Sequence, residues 1–258
     1  MNKRLYCACA VMALAAAPCF ATGQSWDGTW KLNEAKSKLT GETMVLEDKG
    51  NGMIHVSGGS VTFDYACDGK AYPTLADRTL TCTGTQAAGW EHVTKVGDKV
   101  LTQSHWALSA DGKTITIKGK EARPDGSTAD YTEVWKRESG TGGVVGTWKS
   151  VKADEGSDSM TIETKGDWIK IYDPAYKSTV EGKMDGSNLA LKGPTAPAGL
   201  WQTFKQDGPN KLHYTVKLND KVLSEGVQTL SADGKTLTDE NWAPGKMNEK
   251  SVQVYERQ

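Results

Sequence analysis

The chain has 258 residues, with 31 Lys and Arg set against 32 Asp and Glu, for a formal net charge of −1. A balance so close to neutral offers none of the basic surface that nucleic-acid binding demands. Beyond the N-terminal stretch no apolar run approaches the roughly 20 residues that cross a bilayer as a helix, so no membrane span is expected after signal cleavage.

In chain order, the first segment reads as an export signal. Asn2-Lys3-Arg4 supplies a positive start, Leu5 to Phe20 is apolar and Ala-rich, and Cys19-Phe20-Ala21 offers a small-residue cleavage site. The expected signal is 1–21, which places the mature chain in the periplasm or outside the cell. Two cysteines then remain, Cys67 and Cys82. An even pair in an exported chain suggests a disulfide rather than two buried thiols. Closing that loop contributes about 3 kcal/mol in the chain-entropy picture.

From Trp26 onward the apolar period is two. Val61, Phe63, Tyr65 and Cys67 alternate with Thr62, Asp64 and Ala66. Trp90, His92 and Thr94 alternate with Glu91, Val93 and Lys95, and Thr102, Ser104 and Trp106 continue the pattern in the next run. Such alternation predicts half-buried antiparallel strands. Asn51-Gly52, Gly58-Gly59, Asp68-Gly69, Asp111-Gly112 and Asp125-Gly126 fall between the runs, where tight reversals need them. One helical turn is expected within residues 33–38. A Gly-rich stretch at 139–143 reads as a short linker, after which the alternating pattern resumes to the end of the chain.

The second half repeats the first. Ser109-Ala110-Asp111-Gly112-Lys113-Thr114 returns as Ser231-Ala232-Asp233-Gly234-Lys235-Thr236, and Gly28-Thr29-Trp30-Lys31 returns as Gly146-Thr147-Trp148-Lys149. The offsets, 122 and 118 residues, describe one duplicated unit. A strand follows each Asp-Gly phrase where a phosphate loop would need a helix, so the phrase reads as a turn. A meander of about eight to ten strands must cover its edges, and closing into a barrel does so. The expected fold is therefore all-β: two tandem antiparallel up-and-down barrels, the first at 22–138 and the second at 144–258.

Three features carry a family resemblance: the opening Gly-x-Trp at Gly28/Trp30 and Gly146/Trp148, the Asp-Gly-Lys-Thr turn, and closing strands ending in Arg137 and Arg257. Together they resemble lipocalin-like (calycin) barrels, especially exported bacterial ones. The resemblance implies that Trp30 and Trp148 close the barrel ends as structural residues. Related fatty-acid-binding barrels end on an Arg-x-Tyr strand whose arginine holds a carboxylate. Here Glu133 and Gln253 stand in that place, which argues against that particular clamp.

Signatures of catalysis are weak. His55, His92, His105 and His213 lack metal-ligand spacing, and no Gly-x-Ser-x-Gly or dinucleotide fingerprint occurs. No enzyme activity, metal or cofactor is expected. Nine tryptophans stand against three phenylalanines. Core packing accounts for most of them, but Trp90, His92, Trp106, Trp168, Trp201 and Tyr214 are the candidate ligand-binding residues. The expected function is binding of a small hydrophobic or amphipathic molecule inside one or both barrels. The alternative is a cell-envelope module with solid barrels, whose outer faces meet a protein partner.

Overall fold

The computed structural model describes residues 25–39, 41–154 and 157–258; the export signal expected at 1–21 lies outside them. The first half holds β1 (Gly28–Leu32), β2 (Thr43–Gly50), β3 (Met53–Gly58), β4 (Val61–Ala66), β5 (Ala71–Pro73), β6 (Arg78–Thr85), β7 (Gly89–Val96), β8 (Lys99–Leu108), β9 (Thr114–Ala122) and β10 (Thr128–Ser139). The second holds β11 (Gly146–Lys152), β12 (Ser159–Lys165), β13 (Trp168–Asp173), β14 (Ser178–Lys183), β15 (Leu189–Ala190), β16 (Leu200–Gln206), β17 (Lys211–Leu218), β18 (Lys221–Leu230), β19 (Thr236–Trp242) and β20 (Ser251–Arg257). The expected helical turn is a 3-10 turn at Glu34–Lys36, capped by the Asn33 side chain.

The strands form two antiparallel ten-stranded sheets, each rolled into a nearly closed barrel. One has the order β4-β3-β2-β11-β10-β9-β8-β7-β6-β5, the other β14-β13-β12-β1-β20-β19-β18-β17-β16-β15. This assignment departs from the sequential division into 22–138 and 144–258. β1 pairs with β12 and β20, in the second barrel. β11 takes the equivalent place in the first, between β10 and β2. The first barrel is thus a continuous run from β2 to β11, inserted between β1 and the rest of the second barrel. The glycines expected to form a linker at 139–143 instead begin the turn of the β10–β11 hairpin.

Two physical facts account for the exchange. β1 and β11 both begin Gly-Thr-Trp-Lys, so each presents the same face and fits either barrel. β11 follows β10 after residues 140–145 alone, and a loop that short closes at little entropic cost. The local hairpin claims β11 for the first barrel, which leaves the vacant edge of the second to β1.

The repeated motifs now combine into one device, present twice. In each Ser-Ala-Asp-Gly-Lys-Thr turn the Ser hydroxyl donates to the Asp carboxylate, at 2.6 Å in both copies. The turn presents a glycine carbonyl to an arginine near the end of the next strand, Arg137 on β10 or Arg257 on β20. Arg137 Nε donates to Gly112 O at 2.6 Å and Arg257 Nε to Gly234 O at 2.8 Å. The two guanidiniums then lie over Trp148 and Trp30, 4.1 and 4.3 Å from the ring centroids. Trp148 Nε1 donates to Val144 O and Trp30 Nε1 to Trp26 O. Both rings are fully buried. The Gly of each Gly-x-Trp has a physical reason too: a Cβ on Gly28 or Gly146 would lie 2.7 Å from the arginine Nη1. Each device lies at one end of its barrel, the plugged end, where the buried tryptophan sits.

The seams differ. In the second barrel the edges meet through backbone bonds between Thr179 and Lys192, both 2.8 Å. In the first, the Cys67–Cys82 disulfide ties the end of β4 to β6, with a Cα–Cα distance of 4.3 Å. The disulfide expected from the cysteine count is present, and it lies where the strand edges do not pair.

Removing residues 25–33 should therefore damage the distant barrel, not the adjacent one. Amide hydrogen exchange is expected to accelerate in β12 and β20, while β2 and β10 stay protected. Deprotection of β2 and β10 instead would contradict the exchange.

Candidate functional site

The plugged ends point away from each other, and the opposite ends face one another. The mouth of the first barrel is formed by the β3–β4 turn, the start of β6, the β7–β8 turn and the end of β9. Against it stand the end of β13, the start of β14 and the segment 191–197 of the second barrel. Between them lies a chamber of about 510 Å³, partly open to solvent and lined by Leu101, Glu121, Ile171, Tyr176, Val180 and Arg78, among others. A smaller space of about 270 Å³ lies on the other side of the junction, against Val61, Leu223, Ser224 and Trp242. Leu101 and Leu223, and Thr102 and Ser224, are 122 residues apart, so the two spaces are counterparts under the duplication.

A third space, a cavity of about 190 Å³ that is partly open, is lined by inward-facing residues of the first barrel. It is lined by Phe63, Tyr65, His92, Ser104, Trp106, Tyr131 and Glu133, with Thr94 and Thr102 at its rim. Thr94 and Thr102 line the chamber as well and pair directly across β7 and β8. The cavity and the chamber therefore share a wall at the barrel mouth. The strand period puts these side chains together. His92 stands opposite Ser104, and Trp90 opposite Trp106, all in one phase of the pleat.

Inside the cavity several polar groups stand among the aromatic rings. His92 is buried, 5% exposed. Its Nε2 lies 3.3 Å from the Tyr65 hydroxyl, and its ring sits 4.6 Å from that of Trp106. His92 Nδ1 has no hydrogen-bond partner. Burial lowers the His92 pKa from 6.5 to about 4, so the ring is neutral at neutral pH. Trp106 Nε1 donates to Ser104 Oγ at 3.2 Å. Glu133 accepts from Trp135 Nε1 at 2.9 Å, and burial raises its pKa. Burial also pushes Tyr65 up to about 12. The result is an aromatic pocket with an uncharged imidazole, which can hold an apolar body and offer one unsatisfied acceptor or donor.

At the chamber, Tyr176 donates to Glu121 Oε2 at 2.7 Å, and Arg123 lies 4.7 Å over the Tyr176 ring. Arg78 Nη2 donates to Thr195 O across the junction, at 3.1 Å, while its Nε is buried without a partner.

The six residues singled out from sequence are placed as follows. His92 and Trp106 line the cavity. Trp90 is in the same phase but lies toward the plugged end, in a surface depression with Cys67, Tyr72 and Val144. Trp168 and Trp201 are half-buried and line neither the cavity nor the chamber. Their neighbours Ile169 and Gln202 occupy the inward phase. Tyr214 does point inward, in the second barrel, but its hydroxyl donates to Asp239 at 2.7 Å, and Gln228 donates to the other carboxylate oxygen at 2.7 Å. Its ring occupies the space a side chain on Gly226 would need. Tyr214 corresponds to His92 at the 122-residue offset and Gln228 to Trp106, so the duplicated interiors have diverged.

Sequence reading missed Tyr65, Thr94, Thr102, Ser104, Tyr131 and Glu133 as lining residues, although their alternation in phase with His92 and Trp106 was a usable signal. For Arg78 and Tyr176 no local signal exists, since they meet only where the two barrels do. Two cysteines and His92 also bring their sulfur and nitrogen atoms within 4.8 Å of one another. In the disulfide-bonded chain the sulfurs are committed to each other.

No protein-family model, curated protein or solved structure matches this chain.

The depressed His92 pKa has a measurable consequence. An unfolded chain regains a value near 6.5 and takes up its proton at a higher pH than the folded chain does. The contribution of His92 to stability is thus complete above about pH 6.5 and is lost, by about 3 kcal/mol, as the pH drops toward 4. Urea titrations from neutral to acid pH are expected to show this loss in the wild type and not in His92→Phe. Parallel pH profiles for the two proteins would contradict it.

Proposed function

We propose that this protein is an exported, non-enzymatic carrier of a small, mainly apolar ligand, built on lipocalin-like barrels. The site runs from the interior of the first barrel, past Thr94 and Thr102, into the chamber between the mouths. The observation that carries this reading is the shared lining of cavity and chamber by those two threonines. The cavity alone is smaller than the roughly 300–1,000 Å³ of typical ligand pockets, and a ligand that also occupied the chamber would use a site within that range. Binding would come from burying apolar surface against Phe63, Leu80, Trp106 and Ile117. Neutral His92 and the hydroxyls of Tyr65 and Ser104 would fix orientation. The Cys67–Cys82 bond is compatible with an oxidising compartment outside the cytosol, and no helix among the described residues is long and apolar enough to cross a membrane.

The neutral fluorophore N-phenyl-1-naphthylamine tests the path. Thr102→Trp fills the neck between cavity and chamber, and is expected to weaken probe binding by about tenfold or more while thermal unfolding stays near the wild type. Trp201→Phe, outside the path, is expected to leave binding unchanged. Equal binding by wild type and Thr102→Trp would contradict the route.

A further inference from the structure

We infer that the ligand is an amphipathic amine, bound as its ammonium with the charged end against Glu133 inside the first barrel and the apolar body directed toward the chamber. This rests on the carrier reading above and adds the chemistry and the direction of the ligand.

Glu133 is the one carboxylate in the lining of the cavity, and no lysine or arginine lines it. The other wall groups are apolar or neutral: Phe63, Tyr65, Trp106 and Tyr131 supply four aromatic rings, and the His92 imidazole is uncharged. Glu133 Oε2 accepts from Trp135 Nε1, a neutral donor. The charged group that acts on Glu133 is Asp154, which has the same sign and is itself paired with Lys152 at 3.4 Å. Glu133 therefore has no counter-ion among the described residues. The carboxylates of the chamber differ in this respect. Glu121 accepts from Tyr176 and has Arg123 Nη1 at 4.0 Å, and Asp173 accepts from Ser157 Oγ and from the backbone N–H groups of Ala175 and Tyr176.

A second acceptor in the cavity is also unspent. His92 Nε2 faces the Tyr65 hydroxyl, while Nδ1 is buried with no partner. When the ring proton sits on Nε2, Nδ1 presents a lone pair.

Burying a carboxylate without a cation is costly, and burial here raises the Glu133 pKa for that reason. An ammonium supplies the missing charge. Its N–H groups suit a carboxylate and an imidazole nitrogen, and the faces of the surrounding rings attract a cation. A ligand carboxylate would instead set like charge against Glu133. The strand register gives the direction. Glu133 pairs with Ile117 and Ile117 with Trp106, so the three stand level across the sheet. Thr102, which lines both spaces, stands nearer the mouth, opposite Glu121. The charged end thus lies deep, and the body points past Thr94 and Thr102 toward Leu101, Ile171 and Val180 of the chamber.

The test compares three eight-carbon probes on the full chain near neutral pH: octylamine, octanol and octanoate. Isothermal titration is expected to find the amine about tenfold tighter than the alcohol, and the acid weakest, because only the amine gains a charge-assisted pair. In Glu133→Gln, whose side chain can still accept from Trp135, the amine-to-alcohol ratio should fall to about one. Glu133→Leu serves the same purpose if the Gln variant misfolds. An amine bound no more tightly than the alcohol by the wild type, or an amine preference that survives loss of Glu133, overturns the inference and leaves the carrier reading standing. If none of the three binds, the carrier reading fails and the inference falls with it.

Discussion

The architecture depends on an arginine laid over a buried tryptophan at the plugged end of each barrel. The arginine comes from β10 or β20, the tryptophan from the adjacent β11 or β1, and the turn between the two strands before the arginine's supplies the carbonyl that holds it in place. Arg257 also donates to the carbonyls of Ser25 and Asp27, so the device ties the beginning of the described chain to its end. Arg137 does the same with Val145 and Gly143. Truncating a tryptophan buried to this degree costs about 3–5 kcal/mol.

Since both exchanged strands open with Gly-Thr-Trp-Lys, the duplication offers two ways to close. The one adopted nests one barrel within the sequence of the other, with the chain crossing the junction twice. It also brings the unplugged ends together. Cross-junction bonds such as Tyr176 to Glu121 and Arg78 to Thr195 then hold the mouths in register. A chamber arises that neither barrel has alone. The two units have since diverged inside. Where the first has His92 and Trp106 around open space, the second has Tyr214 and Gln228 bonded to a buried Asp239.

Much of this was legible in the sequence because it is local or periodic. Alternation of two marks the long strands, and Asp-Gly marks their turns. The cysteine pair gives the disulfide. His92 and Trp106 fall into the cavity because their phase is unambiguous. Trp168 and Trp201 show the limit of reading residue type without phase: Ile169 and Phe204 are the fully buried residues of their strands, which turns both tryptophans outward. β5 is three residues long and ends in Pro73, too short to show a period. The strand exchange could not be read at all, since the exchanged strands open with the same four residues. Everything that depends on it, including the chamber, Arg78 and Tyr176, was hidden for the same reason.

The central proposal is that the first barrel's interior and the chamber, which share Thr94 and Thr102, serve together as a single ligand site. Native mass spectrometry of the protein, isolated without denaturation from the cells that make it, tests this most directly. The account predicts one small molecule per chain, released on unfolding. Two molecules per chain would mean that each barrel holds its own ligand, and an empty chain that takes up no small molecule would mean that the barrels are not carriers; either result would contradict the account.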